Sequence, residues 1–187
     1  HKIRRNEVAL LVEASAAFGT GHHGTTAGCL AAIERRVAQA LARGERRLTC
    51  LDVGTGTGVL ALAFANALKR PAIAGDNDAD AVRIARDNAA LNGARGRLKI
   101  VLAGGTRHPA IRARARSDVV SATILAGPLA SLAGDFARAT KPGGTLVLSG
   151  LLAWQTRWST AIHAAQGFRL ERRDLVGDWA TLTLRRR

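Results

Sequence analysis

Cysteine, proline and aromatic side chains are scarce in this sequence, and acids are half as numerous as bases. The two cysteines, Cys29 and Cys50, stand far apart without the paired spacing of a zinc site, so no metal is expected. Buried thiols in a reducing, cytoplasmic compartment are expected instead. Four prolines and no biased tract argue against a disordered or fibrous chain. The most apolar stretch, 122–137, contains Pro128 and Asp135 and is too short to cross a bilayer; with no secretory leader pattern, no membrane partner is expected. A Walker sequence, G-x-x-x-x-G-K-[ST], is also missing, which removes the main signature of phosphoryl transfer.

What is present is an ordinary globular composition, 47% hydrophobic over 187 residues. A chain of that length buries about 70% of its unfolded surface and forms one core by default. The unusual quantity is the net charge of +14, with 24 of the 28 cationic side chains being arginine. Such a field favours association with RNA or another polyanion. The plainer reading, a solvated arginine-rich surface, applies equally to 112–116 and to Arg185, Arg186 and Arg187. The first residue is His1 and not Met, so a piece of a longer protein is expected.

Short apolar runs at 49–53, 71–75, 98–102, 118–121 and 145–149 alternate with helical patterns at 59–69, 79–91, 129–139 and 154–165. That alternation predicts a doubly wound α/β domain, with a mostly parallel seven-stranded sheet covered on both faces. The runs 169–175 and 179–184 should close it as an antiparallel pair. Asn92-Gly93 and Lys141-Pro142-Gly143-Gly144 mark stops. A loop to residue 26 and a helix over 26–42 precede the first strand and should pack beside it. Residues 1–47 are therefore expected to cap a pocket on the core, 48–187.

Ligands of such sheets bind beyond the carboxyl ends of the strands, where the chain order reverses. There the first strand ends in Asp52-Val53-Gly54-Thr55-Gly56-Thr57-Gly58. Glycines let a ligand approach the backbone, and the following helix offers free N–H groups. The third glycine falls one place early for the nicotinamide fingerprint, and the preceding acid favours D-x-G-x-G-x-G, a methyl-donor pattern. Asp76, about 20 residues further on, is placed to hold ribose hydroxyls, with Asp78 as the cap of the next helix. Trp154, Trp158 and Trp179 read as packing anchors.

Three segments extend this pattern over most of the chain. Ala17-Phe18-Gly19-Thr20-Gly21-His22-His23-Gly24-Thr25-Thr26, Ala122-Thr123-Ile124-Leu125-Ala126-Gly127-Pro128-Leu129, and the run from Lys141-Pro142-Gly143-Gly144 to Ser149-Gly150 keep one order. Together they resemble the PrmA-type methyltransferases, which modify the large-subunit ribosomal protein numbered eleven. The resemblance implies a Rossmann-like fold, S-adenosylmethionine as cofactor and a protein amine, of ribosomal type, as acceptor. It implies that Thr26, Gly54 and Asp76 hold the donor, alongside Asp52, Gly56 and Gly58, with Phe18, Gly19 and His23 closing over it. Thr123 and the carbonyl of Ile124 would align the amine. The family carries Asn where Thr123 stands, and Thr and Pro where His22 and Gly24 stand. It also has a separate N-terminal recognition domain, and the residues before 17 are too few to form one. A noncatalytic donor-binding module and an RNA methyltransferase are the alternatives.

Overall fold

The structure, a computed structural model, describes residues 9–12, 24–114 and 116–187. Helix α1 (Gly24–Ala42) leads into β1 (Cys50–Val53), α2 (Val59–Leu68), β2 (Ala72–Asp76), α3 (Ala79–Leu91) and β3 (Leu98–Leu102). The short α4 (Pro109–Arg112) is followed by β4 (Ser117–Thr123), α5 (Ala126–Ser131), α6 (Ala133–Ala139) and β5 (Thr140–Leu152). After α7 (Thr156–Ala165) the chain closes with β6 (Phe168–Val176) and β7 (Trp179–Arg186). The sheet runs β3-β2-β1-β4-β5-β7-β6. β1 to β5 pair in parallel, while β7 runs antiparallel between β5 and β6. The order reverses between β1 and β4, which opens a crevice beyond their carboxyl ends.

Every residue of β1 and β2 is buried, as expected of central parallel strands covered on both sides. Alternate side chains feed two cores. Cys50, Ala72, Ala74 and Val119 pack under α1, α2 and α3 around Phe64. Leu51, Val53, Ile73 and Val120 pack under α4, α5 and α6 around Phe136 and Phe168. The edge strand β6 stays outside both cores beyond Phe168; its Arg169, Glu171, Arg172, Arg173 and Asp174 keep it from pairing with another sheet.

Local signals hold at several boundaries. Asp78 caps α3 by accepting the Asp80 N–H at 2.8 Å, and Gly93 takes φ +60° just beyond that helix. Elsewhere the chain differs from expectation. The helix expected over 129–139 is two helices, broken at Leu132, whose ψ of 2° leaves the helical range. Helix α1 does not simply flank β1. It lies across β4, β5, β6 and β7 as well as α2. That placement depends on Gly28, where an added Cβ would stand 2.1 Å from Thr181 Oγ1. Trp154 and Trp158, expected as anchors, are 76% and 49% exposed, because the turn 153–155 and α7 direct them outward.

Candidate functional site

The predicted site residues among the described ones converge on the carboxyl edge of the sheet. The loop 54–58 leaves β1 and is tied to β2 at once: the Gly54 and Thr55 N–H groups both donate to the Gly75 carbonyl, at 2.9 and 3.1 Å. Asp52 anchors the loop from below. Its carboxylate is fully buried, accepting the Thr55 hydroxyl at 2.6 Å on one oxygen and the Ser121 hydroxyl at 2.6 Å on the other. Burial raises its pKa, and the two hydroxyl bonds pull it back toward the charged form. Asp52 thus acts on the geometry of the loop, joining β1 to β4.

Asp76 ends β2 and is 8% exposed. It accepts the Gly56 N–H at 2.8 Å on one oxygen and the Asp78 N–H at 3.1 Å on the other. Two bonds leave lone pairs on both oxygens, since an ionised carboxylate accepts about four. On the far side of the loop, the Asn88 amide donates to the Thr57 carbonyl at 2.9 Å, fixing α3 to the cradle.

The third wall is the end of β4. Thr123 pairs with Ser149 of β5 in register, and Ile124 follows it. Ile124 is wedged between two glycines in left-handed conformation. A Cβ on Gly54 (φ +68°) would reach within 2.2 Å of Ile124 Cγ2, and one on Gly150 (φ +87°) within 2.2 Å of the Ile124 carbonyl oxygen. Only glycine satisfies both the dihedral and the contact at these two places. The carbonyl of Ile124 is therefore held at a set distance from the glycine loop.

Beneath Thr123 runs a buried polar seam. Its Oγ1 lies 3.5 Å from the Sγ of Cys29, on α1. The Ser149 hydroxyl donates to the Ala180 carbonyl at 2.9 Å, and the Thr181 hydroxyl donates to Ser149 at 3.2 Å. Burial pushes the Cys29 thiol up to about 12, so it stays protonated and inert as a nucleophile. Thr26 lies in the first turn of α1 and is 3% exposed. Phe18, Gly19 and His23 lie outside the described residues. Beside Ile124, Leu125 is 70% exposed, and with Trp154 and Trp158 it adds apolar surface to this side.

Sequence reasoning singled out the loop, Asp76 and the Thr123-Ile124 pair as candidates, but it assigned no role to Ser121, Gly150 or Cys29. Gly150 closes the run that begins at Lys141-Pro142. Its work becomes visible only once Ile124 is seen against it across the sheet.

A reversed parallel core closed by an antiparallel strand, with a bare-backbone loop at the switch point and an acid one strand over, is the Rossmann-like methyltransferase fold. The profile of one family, described as "Ribosomal protein L11 methyltransferase (PrmA)", matches residues 1–187. The chain belongs to that family. It is 44% identical over 183 residues to the ribosomal protein L11 methyltransferase of Chelativorans sp. (strain BNC1), covering 98% of this chain and 61% of the relative. The corresponding protein of Caulobacter sp. (strain K31) is also 44% identical, over 185 residues, covering 99% of this chain and 62% of the relative. The chain thus spans about three-fifths of the length of these relatives. A crystal structure of ribosomal protein L11 methylase from Lactobacillus delbrueckii subsp. bulgaricus superposes with a TM-score of 0.78 at 26% identity, covering 91% of this chain and 82% of the other.

Proposed function

We propose that this chain is the catalytic part of an S-adenosylmethionine-dependent methyltransferase acting on amino groups of a protein, with ribosomal protein L11 the first acceptor to test. The observation that carries this reading is the cradle formed by Gly54, Gly56 and Gly58 beside the Asp76 carboxylate, which keeps acceptor capacity on both oxygens. A side chain at Gly54 would strike Ile124, so the loop can present backbone only, and that suits a ligand lying flat against it. The bound donor would supply a methyl group on a cationic sulfur. Asp52, Asp76 and Asp78, all at this edge, favour a cationic ligand there.

Asp76 would grip the ribose hydroxyls, and Asp52 would keep the loop in shape through Thr55 and Ser121. Thr26 would meet the donor from α1, with Phe18, Gly19 and His23 closing above it; residues 1–47 would form the cap and 48–187 the core. The chain's remaining task is to orient and desolvate a neutral amine. The Ile124 carbonyl and the Thr123 hydroxyl accept from its N–H groups and point the lone pair, and the proton leaves to solvent. The exposed Leu125, Trp154 and Trp158 fit a protein acceptor better than a small one. Two buried free thiols suit a cytoplasmic protein. No helix among the described residues is long and apolar enough to cross a membrane.

Transfer of radiolabelled methyl groups to purified L11, with donor affinity measured in parallel, tests the reading. Donor binding with transfer supports it. A second reading, a donor-binding module without catalysis, draws on the contact between Thr123 and Cys29, which turns the hydroxyl toward α1. Binding without transfer to L11 or to any other cellular protein would favour that one. A label sensitive to ribonuclease would instead identify an RNA methyltransferase.

A further inference from the structure

The charges of this molecule are sorted between the two edges of its sheet. Asp52, Asp76, Asp78 and Asp178 lie at the carboxyl edge, whereas the segments that lead into the strands at the amino edge are rich in arginine. Arg95 precedes β3, Arg46 and Arg47 precede β1, and Arg112 and Arg116 precede β4; all five are exposed. Antiparallel β7 brings Arg185 and Arg186 to the same edge, since Arg185 pairs with Thr145 near the start of the parallel part of β5.

The acids near this edge are already engaged. Glu45 pairs with Arg36 at 3.1 Å, Asp118 with Lys141 at 2.8 Å, and Asp135 with Arg107 and Arg138. Arg46, Arg47, Arg95, Arg112 and Arg116 have no ion pair among the described residues, and Arg186 is crowded further by the charge of Arg116. Crowding like charges costs stability, and a polyanion laid across them would relieve it.

The centre of the edge is also concave. A cavity of about 190 Å³, floored by Leu51, Ile73 and Ile111, is rimmed by Arg107, Arg112, Arg114, Arg116 and Arg138. Asp135 is the one acid in its lining. The row of cations is long as well as dense: from Arg95 at β3 to Arg185 at β7 it crosses five strand spacings of about 4.8 Å, or about 24 Å. A single small anion would occupy only the cavity. A nucleic acid, with one phosphate per about 3.4 Å of each strand, matches the whole row, and guanidinium groups pair with phosphate oxygens two at a time.

We propose that the amino edge of the sheet, centred on the arginine-rimmed cavity, docks the phosphate backbone of a nucleic acid. The surface lies at the opposite edge from the donor cradle, so its occupancy does not depend on methyl transfer.

Fluorescence anisotropy with labelled RNA and DNA of about 20 nucleotides, over a series of salt concentrations, tests this. Arg112→Glu with Arg116→Glu should weaken binding about tenfold or more and reduce the single-strand salt slope by about 1.4, the loss of two phosphate contacts. Arg83→Glu with Arg157→Glu, which changes the net charge equally on helices that begin at the carboxyl edge, should stay within about threefold. Circular dichroism establishes that each variant is folded; should the first pair unfold, Arg46→Gln with Arg47→Gln in the exposed segment before β1 gives the same readout. Edge-dependent binding of either polymer supports docking, and the tighter one identifies the ligand. The proposal is overturned by equal loss in the two pairs, by polyglutamate binding as tightly, by displacement with inorganic phosphate at constant ionic strength, or by no saturable binding.

Discussion

Replacing Gly150 with alanine isolates the role of the Ile124 carbonyl, because Gly150 itself faces that peptide and not the glycine loop. Its φ of +87° is one that an L-residue adopts at a cost of about 1–2 kcal/mol. Its new Cβ would stand 2.2 Å from the Ile124 oxygen, and relief to an ordinary carbon–oxygen separation requires a shift of about 1 Å. Overpacking of that kind costs about 1–3 kcal/mol, so a total near 3 kcal/mol is expected. For a chain of this size that lowers Tm by roughly 6–12 °C. Misplacing an aligning group by about 1 Å lowers the rate about 100-fold. Methyl transfer to L11, assayed well below the shifted Tm, should therefore show kcat falling about 100-fold, while donor affinity measured by calorimetry changes less than about threefold. Unchanged kcat, or equal loss of donor affinity and turnover, contradicts a carbonyl held in place by Gly54 and Gly150.

The other expectations follow from single contacts. Thr123→Ala should lower turnover far more than donor affinity; equal loss in kinetics and calorimetry counts against a role in aligning the amine. Asp76→Ala removes a charge-assisted acceptor worth about 1.5–3 kcal/mol, so donor affinity should fall roughly 10- to 150-fold, and a smaller change in titration calorimetry argues that the ribose is held elsewhere. His163 is fully buried beside Phe136 and Phe168, with burial lowering its pKa against one bond to the Ser159 carbonyl at 2.8 Å. The unfolded chain then binds a proton that the native chain resists. Stability is complete above the unfolded value of 6.5 and is lost as pH falls from there toward the depressed native value. His163→Leu should flatten that part of the stability profile relative to the parent, as followed by urea unfolding between about pH 8 and 5.

What the sequence alone discloses is whatever the chain writes locally. The strand that ends in Asp52-Val53-Gly54, the cap at Asp78 and the stop at Asn92-Gly93 each depend on neighbours within a few residues, and each stands where expected. The pairing of Asp76 with the glycine loop was also within reach, because the interval from strand to strand places an acid at the next carboxyl end. The break at Leu132 was not, since the apolar spacing of 129–139 suits one helix, and only packing against β5 and α7 divides it. Nor was Gly28 against Thr181, or Gly150 against Ile124, as both contacts join distant segments. The exposure of Trp154 and Trp158 was missed for a related reason. Aromatic residues bury themselves on average, and nothing local shows that these two emerge next to a site. The arginines likewise appear as scattered surface along the chain, and strand order alone collects them at one edge.

Titration calorimetry of the purified chain with S-adenosylmethionine and with its demethylated product probes the cradle most directly. One saturable site for each ligand, weakened at least about tenfold in Asp76→Ala, is the expected result. A folded chain that binds neither ligand would contradict a donor pocket at Gly54, Gly56 and Gly58.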